Sequence, residues 1–163
     1  MYTDLDKCFL KQQLLEALDQ QIDAAMAAAQ QAQQAASHED NQPENQYDTL
    51  SLEAAYLAHG QSERILQLQQ QRITLARWQV TDFTADDVVA SGALVVLQLQ
   101  DEPRPQRLIW ITPLGGLQLS QRDCLIQVIS NETPLAARLR GLTVGDELEL
   151  PGQAGCWELV SLV

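Results

Sequence analysis

The stretch VISNETPLAARLRGLTVGDELELPG, residues 128–152, predicts a short helix between two strands. Thr133 is a residue type that caps helix N-termini, and Pro134 suits the first helical position because its φ is already helical. Gly141 suits the end of the helix, where a left-handed residue is common. The apolar runs on either side have the length of strands. The stretch therefore predicts one short helix packed on a sheet.

More short apolar runs lie on both sides of this helix, and turn residues separate them. The runs read ALVVLQL, RLIWIT, CLIQVI, DELEL and CWELVSLV, and the turns between them are DEPRP, PLGG, GLTVGD and PGQAG. Strands and a short helix in this order predict a small α+β domain over roughly residues 84–163.

The first part of the chain is predicted to form a long helix. Between Asp4 and Ser37 there is no Pro or Gly, and Ala, Gln, Leu and Glu dominate. Small or apolar residues recur at heptad spacing in two sets: Cys8, Leu15, Ile22, Ala29 and Ala36, and Leu18, Ala25 and Ala32. This spacing is typical of a coiled-coil seam.

A second helical run begins after Asp48 or Thr49, either of which can cap it. It has residues seven apart at Leu52, His59, Leu66, Ile73 and Val80. A polar turn near Pro43 joins the two runs, so we expect an antiparallel coiled-coil hairpin over residues 1–80. The predicted fold class is α+β, with the hairpin first and the small domain second.

The predicted tip of this hairpin, near residues 38–48, is acidic. The acids of the segment HEDNQPENQYDTLSLEAAY are Glu39, Asp40, Glu44, Asp48 and Glu53, and it contains no Lys or Arg. The first basic residues met on either side are Lys11 and Arg64. Such a run either solubilises a turn or offers carboxylate oxygens to a hard cation such as Mg²⁺.

Composition narrows the classes of function. The chain has 163 residues, is 45% hydrophobic and carries a formal net charge of -12, so autonomous binding to a polyanion is disfavoured. Its three cysteines lie far apart without CxxC spacing, which argues against structural zinc and disulfides. No run approaches the length of a membrane span or a signal peptide. We expect a cytoplasmic protein.

At residues 128–152 the chain resembles the C-terminal domain of the Gre transcription elongation factors of bacterial RNA polymerase. The residues that fit the family's pattern are Ile129, Ser130, Pro134, Leu135, Ala136, Leu139, Gly141, Val144, Gly145 and Asp146, with Thr133 where the family has Ser. That family places a long antiparallel coiled coil before an FKBP-like α+β domain. The resemblance therefore covers essentially the whole chain and implies this fold over residues 1–80 and 84–163.

The resemblance also implies a role for the acidic tip. In the family, two tip acids are thought to enter the secondary channel of the polymerase and help to hold a catalytic Mg²⁺ and a water. Asp40 aligns with the first acid without a gap, whereas Pro43 stands at the second acidic position and Glu44 one residue later. The resemblance thus implies that Asp40 and Glu44 are the catalytic and metal-binding residues, with a Mg²⁺ that is shared with the polymerase and not bound by this chain alone.

The implied partner is bacterial RNA polymerase. As a Gre-type factor the chain would bind in the secondary channel, as a monomer, and stimulate the polymerase's own transcript cleavage in backtracked complexes. It would not be a free-standing enzyme. Two alternatives stay open: a non-cleaving Gre-like regulator that occupies the same channel, and a cytoplasmic adaptor that keeps the fold but binds something else.

Overall fold

The computed structural model describes residues 5–36, 49–100 and 106–163. In these ranges the chain forms a mixed α+β structure, as predicted. The helices are α1 (Lys7–Ala36), α2 (Thr49–Arg77) and α3 (Pro134–Leu139). The strands are β1 (Leu94–Leu99), β2 (Gln106–Thr112), β3 (Leu117–Gln121), β4 (Cys124–Ser130), β5 (Glu147–Glu149) and β6 (Cys156–Leu162). No helix in these ranges is long and apolar enough to cross a membrane.

The chain divides into two compact units. The first, which we call the body, comprises Met1–Leu14 together with Arg77–Val163, and the second, the helical unit, comprises Leu15–Ala76. Helix α1 begins in the body and continues through the helical unit. The start of α1 is therefore part of the body, although the strands of the body lie far away in the sequence.

Within the described residues, a six-stranded sheet forms the centre of the body, in the order β3-β4-β2-β1-β6-β5. Strands β2 and β4 are parallel, and the other neighbouring pairs are antiparallel. Helix α3 contributes Ala136 and Leu139 to the largely buried cluster on one face of the sheet. The strand residues of that cluster are Val95, Leu97, Ile109, Ile111, Ile129, Trp157, Leu159 and Leu162.

Strand β3 was not predicted from the sequence, which indicated five strands and none of them over Leu117–Gln121. Arg122 and Asp123, the two residues between β3 and β4, have positive φ angles of 50° and 62°. Two-residue hairpin loops of this kind normally carry Asn or Gly, because those residues tolerate positive φ. The pair Arg-Asp gives no such indication, so the hairpin was missed.

Among the heptad positions predicted for α1, the fully buried ones lie beyond its first turns. Leu18 and Ile22 are buried in the helical unit, at the positions that the heptads predicted. Nearer the N-terminus the prediction is wrong for Cys8, which is exposed. Lys7, Leu10 and Leu14 are buried instead. Buried residues at 10, 14, 18 and 22 are four apart, and this local departure from the heptad shifts the buried face by about one residue.

The predicted register of α2 is wrong. Leu52, Leu66 and Ile73 are exposed, and the side chain of His59 is largely in solvent. Leu68 and Leu75 are the buried leucines of this helix. Residues seven apart lie on one face of a helix, and α2 has two such apolar sets on opposite faces. Heptad spacing alone does not distinguish them.

Candidate functional site

The predicted acidic tip lies between α1, which ends at Ala36, and α2, which begins at Thr49. Asp40 and Glu44 fall outside the described residues, so their predicted catalytic and metal-binding roles remain predictions. Within residues 5–36, 49–100 and 106–163 there is no group of three or more His, Cys, Asp or Glu residues that could hold a metal.

The two long helices are joined by an ion pair in the helical unit. Arg72 of α2 donates from Nε to Oδ1 of Asp19 in α1, and from Nη2 to Oδ2 at 3.0 Å. Two parallel hydrogen bonds of this kind fix the planar guanidinium against the carboxylate. The hydrogen bond from Arg72 is the main reason why the pKa of Asp19 is lowered. This pair specifies which part of α2 lies beside which part of α1.

In the body, residues of the stretch 128–152 cap α3 and contribute its buried side chains. Thr133 is the N-cap: its Oγ1 accepts a hydrogen bond from the amide of Ala136 at 3.2 Å and donates one to the carbonyl of Ser130 at 3.0 Å. Pro134 occupies the start of the helix, as the sequence predicts. Ala136 and Leu139 point into the core. These motif residues therefore define a structure and not a chemical centre.

The end of the same stretch forms a tight turn. Oδ2 of Asp146 accepts hydrogen bonds from the amide of Thr143 at 2.7 Å and from its hydroxyl at 3.1 Å, and the Asp146 amide donates to the Thr143 carbonyl at 3.0 Å. Gly145, with a φ of 97°, lies inside this turn and donates to the carbonyl of Leu159 at 2.8 Å. Asp146 is thus a turn-forming residue that leads the chain into β5.

A second turn of the same design lies at residues 84–87. Oδ2 of Asp87 accepts hydrogen bonds from the amide of Thr84 at 2.7 Å and from its hydroxyl at 2.8 Å, and these bonds lower the pKa of Asp87. Val89 then exchanges backbone hydrogen bonds with Gly141 and Leu142, at 2.9 and 2.8 Å. The turn at residues 84–87 comes just before Val89, and the turn at residues 143–146 comes just after Leu142. The two turns therefore flank this short backbone pairing. The repeated pattern T-x-x-D was visible in the sequence but was not used.

Lys7 was also missed by the sequence analysis, although Lys7 and Lys11 are the only lysines of the chain. The buried Nζ of Lys7 donates to the carbonyl oxygens of Thr81, of Gly92 at 3.2 Å and of Val163 at 2.9 Å. It also lies 5.0 Å from the centre of the Phe83 ring. Burial lowers the pKa of Lys7 to about 8, and nearby Asp82 opposes this effect.

Lys11 extends this attachment by one helical turn. Its Nζ donates to the carbonyl oxygen of Trp78 at 2.6 Å. The Trp78 ring packs at a tilt on Trp110 of β2, with 5.6 Å between ring centres, and the Trp110 indole N–H donates to Gly92. The two lysines thus attach the start of α1 to the segment that precedes the sheet.

No protein-family profile matches the chain, and no curated protein matches it. Among solved structures, the chain is similar to GreA factor homolog 1 (Gfh1) of Thermus thermophilus, at 19% identity and a TM-score of 0.38, over 91% of this chain and 94% of that one. Thermus aquaticus Gfh1 matches at 20% identity and a TM-score of 0.36, over 90% of this chain and 92% of the other.

A third similar structure is the transcription elongation factor GreA/GreB from Nitrosomonas europaea, at 21% identity and a TM-score of 0.37, over 63% of this chain and 89% of that one. Identity and TM-score are low in all three comparisons. The proteins to which the chain is similar in these comparisons are Gre factors and Gre-factor homologues.

Proposed function

We propose that this chain is a Gre-type transcription elongation factor that binds RNA polymerase and stimulates the intrinsic transcript cleavage of backtracked complexes. The observation that supports the proposal is the stretch 128–152, in which the matching residues cap α3, fill the core and form the turn into β5. The residues that match the family pattern each have a defined structural role in this chain. A chance match of similar residue types would not be expected to have this property.

The finer architecture belongs to the same proposal. Residues 1–80 form an antiparallel coiled-coil hairpin, and residues 84–163 form an FKBP-like domain. The ion pair between Arg72 and Asp19 supports the pairing of α1 with α2, and the burial of Leu18, Ile22 and Leu68 in the helical unit is consistent with a seam. In this arrangement the acidic segment is the tip of the hairpin.

The carboxylates of Asp40 and Glu44 are the groups that we propose to act in cleavage. Carboxylate oxygens suit Mg²⁺, and an Mg²⁺ ion supplies a bound water of lowered pKa as the attacking group. Two carboxylates alone form a weak site, because Mg²⁺ retains several waters unless other ligands complete its shell. The tip therefore shares a metal with the polymerase, and the chain is not an enzyme by itself. We propose that it acts as a cytoplasmic monomer in the secondary channel.

A second candidate function is a Gre-like regulator that occupies the secondary channel without stimulating cleavage. Pro43 favours this version, because it stands where the family pattern has its second acid. A proline there removes one carboxylate and also restricts the backbone of the turn. Glu44 restores the carboxylate only if the turn absorbs a shift of one residue.

Transcript cleavage in a stalled elongation complex tests the proposal. The purified full chain is expected to bind core RNA polymerase and to shorten the RNA 3′ end in a Mg²⁺-dependent manner. Asp40→Asn and Glu44→Gln should abolish the shortening and leave polymerase binding nearly unchanged, since each only removes the charge of a metal ligand. Glu39→Gln removes the same charge beside Asp40 and serves as the matched control, with near-normal cleavage.

The outcomes separate the candidates. Binding without any shortened transcript, together with slower elongation, would replace the cleavage factor with the non-cleaving regulator. Failure of the full chain to bind the polymerase at micromolar concentration would overturn both and favour an adaptor with another partner.

A further inference from the structure

Strand β3 is an edge of the sheet that carries no protective charge. Its sequence, LQLSQ, has no charged residue and no proline. In the part of the chain that the structure describes, β4 is its only strand neighbour. Soluble proteins usually block such an edge with charges, prolines or a covering element, because unpaired backbone groups attract another strand.

The other edge strand shows what such protection looks like. Strand β5 has only three residues, and two of them are the exposed Glu147 and Glu149. A short and negatively charged edge repels an incoming strand. Strand β3 is longer and neutral, so the two edges of this sheet differ in their capacity to pair.

The β3–β4 register shows which backbone groups face outward. The two-residue turn joins Gln121 to Cys124, which are directly opposite each other in the ladder. Such a pair exchanges its hydrogen bonds, and bonded and non-bonded pairs then alternate along the hairpin. Leu119 therefore bonds to β4, whereas the N–H and C=O groups of Gln118 and Ser120 point away from the sheet.

A groove lies beside this edge. Its volume is about 540 Å³, and it is lined by Leu117, Gln118, Gln127, Val128 and Thr133, between β3, β4 and the start of α3. Gln118 and Gln127 are exposed cross-strand partners on this face. None of the described residues that line the groove is charged, and Gln118 and Gln127 offer neutral amides, so the groove suits an uncharged side chain.

We propose that the β3 edge and this groove form a docking site for an extended polypeptide segment of a partner protein. The segment adds to the sheet as a seventh strand and places one uncharged side chain in the groove. An extended main chain is the fitting occupant because it presents donors and acceptors at the same two-residue repeat, about 6.8 Å, as the outward groups of β3. This site shares no residue with the acidic segment, and its existence does not depend on the proposed function.

Amide NMR of the full chain with a defined peptide tests the site. The probe is the heptapeptide Thr-Val-Thr-Val-Thr-Val-Thr, in which threonine keeps the strand soluble. We expect its addition to shift the amide resonances of Gln118 and Ser120 and to slow their hydrogen exchange at least tenfold. A peptide N-methylated along its pairing edge should have no effect, whereas N-methylation along its opposite edge should be tolerated.

A pair of variants at one position gives the matched control. Ser120→Pro removes the outward N–H without removing a hydrogen bond to β4, and Ser120→Ala keeps that N–H. The alanine variant is expected to bind the peptide like the wild type, and the proline variant is expected to lose binding. Exchange protection of the Leu119 amide reports whether each variant keeps its hairpin, and the N-methylated peptides test the site without any variant.

Three results would overturn the proposal. The first is equal peptide binding by Ser120→Pro and Ser120→Ala, and the second is no resonance shift with any peptide at millimolar concentration. The third is an amide of Ser120 that already exchanges as slowly as that of Leu119 in the free protein, since the edge would then be covered by the chain itself.

Discussion

At the scale of single residues, Lys7 is a buried cation that is held by carbonyl oxygens and an aromatic ring. A buried ammonium is costly unless its hydrogen bonds are satisfied, and Lys7 finds acceptors on Thr81, Gly92 and Val163. These acceptors belong to three separate segments of the body. Removing the ammonium would leave three carbonyl groups to find other partners, so the effect of a substitution is larger than that of one lost hydrogen bond.

The lowered pKa of Lys7 makes the stability of the protein depend on pH in a defined window. The pKa falls from its ordinary 10.5 to about 8 in the folded chain. Between these values the unfolded chain binds more protons, so the free energy of unfolding rises with pH. Relative to Lys7→Met, the wild type is expected to gain about 2 kcal/mol across this window, less than the full linkage because solvent screens part of it.

Urea unfolding of both proteins at a series of pH values between 7 and 11 would measure this difference. Lys11→Met controls for the loss of a lysine from the same end of α1. Parallel curves for the wild type and Lys7→Met would contradict the assignment.

At the scale of elements, α2 presents leucines on opposite faces, and only one face is buried. Leu68 is 2% exposed, whereas Leu66 is 65% exposed. Leu68→Ala is therefore expected to lower the free energy of unfolding by about 2–4 kcal/mol, because it removes buried methyl groups and leaves a cavity. Leu66→Ala makes the same chemical change in the same helix and should cost less than about 1 kcal/mol.

Denaturant titration of the two variants, followed by circular dichroism at 222 nm, would check this prediction. The register taken from the heptads alone predicts the reverse order, with Leu66→Ala as the more destabilising change. An equal loss in both variants would contradict the assignment of Leu68 to the buried face and Leu66 to the exposed face.

The elements differ in how well the sequence predicted them, and the reasons are local. Helix α3 was predicted because its capping residue, its proline and the glycine after it lie close together in the sequence and can be recognised there. Helix α1 was predicted because it lacks breakers over more than thirty residues. The register of α2 depends on which of two apolar faces meets another helix, and β3 depends on two residues with positive φ that have no turn preference. Tertiary contacts determine the buried face of α2 and the formation of β3, so the local sequence does not reveal them.

Prediction of the candidate site was limited in a similar way. The residue types of Asp40 and Glu44 suit Mg²⁺, yet the proposed shared metal site would be completed by ligands of another protein. The hydrogen bond from Lys7 to the Thr81 carbonyl joins residues more than seventy positions apart, so no local sequence pattern reveals it. By contrast, the T-x-x-D turns at residues 84–87 and 143–146 form within four residues and are predictable from sequence.

At the scale of the whole molecule, the body is assembled from both ends of the sequence. It contains Met1–Leu14 as well as Arg77–Val163, and Lys7 connects the two parts. A fragment of Arg77–Val163 alone would lack Lys7 and Lys11 and the hydrogen bonds that they donate to its backbone carbonyls. We expect this fragment to be poorly folded in isolation.

A ¹H–¹⁵N NMR spectrum of the Arg77–Val163 fragment would test this expectation. Narrow amide dispersion is predicted for the fragment alone, with recovery when a peptide of residues 1–14 is added. The same peptide carrying Lys7→Met should restore the spectrum less well. Wide dispersion without any peptide would contradict the prediction.

The pairing of β1 with β6 has a consequence for how this protein is made. β1 lies inside the sheet between β2 and β6, and Val95 stands opposite Leu162. During synthesis β1 emerges from the ribosome well before β6, and closing so long a loop is slow because its chain entropy must be overcome first. While translation continues, the edge of β1 that carries Val95 and Leu97 therefore lacks the strand with which it pairs in the folded protein. A nascent chain halted before β6 is expected to be a substrate for chaperones and proteases.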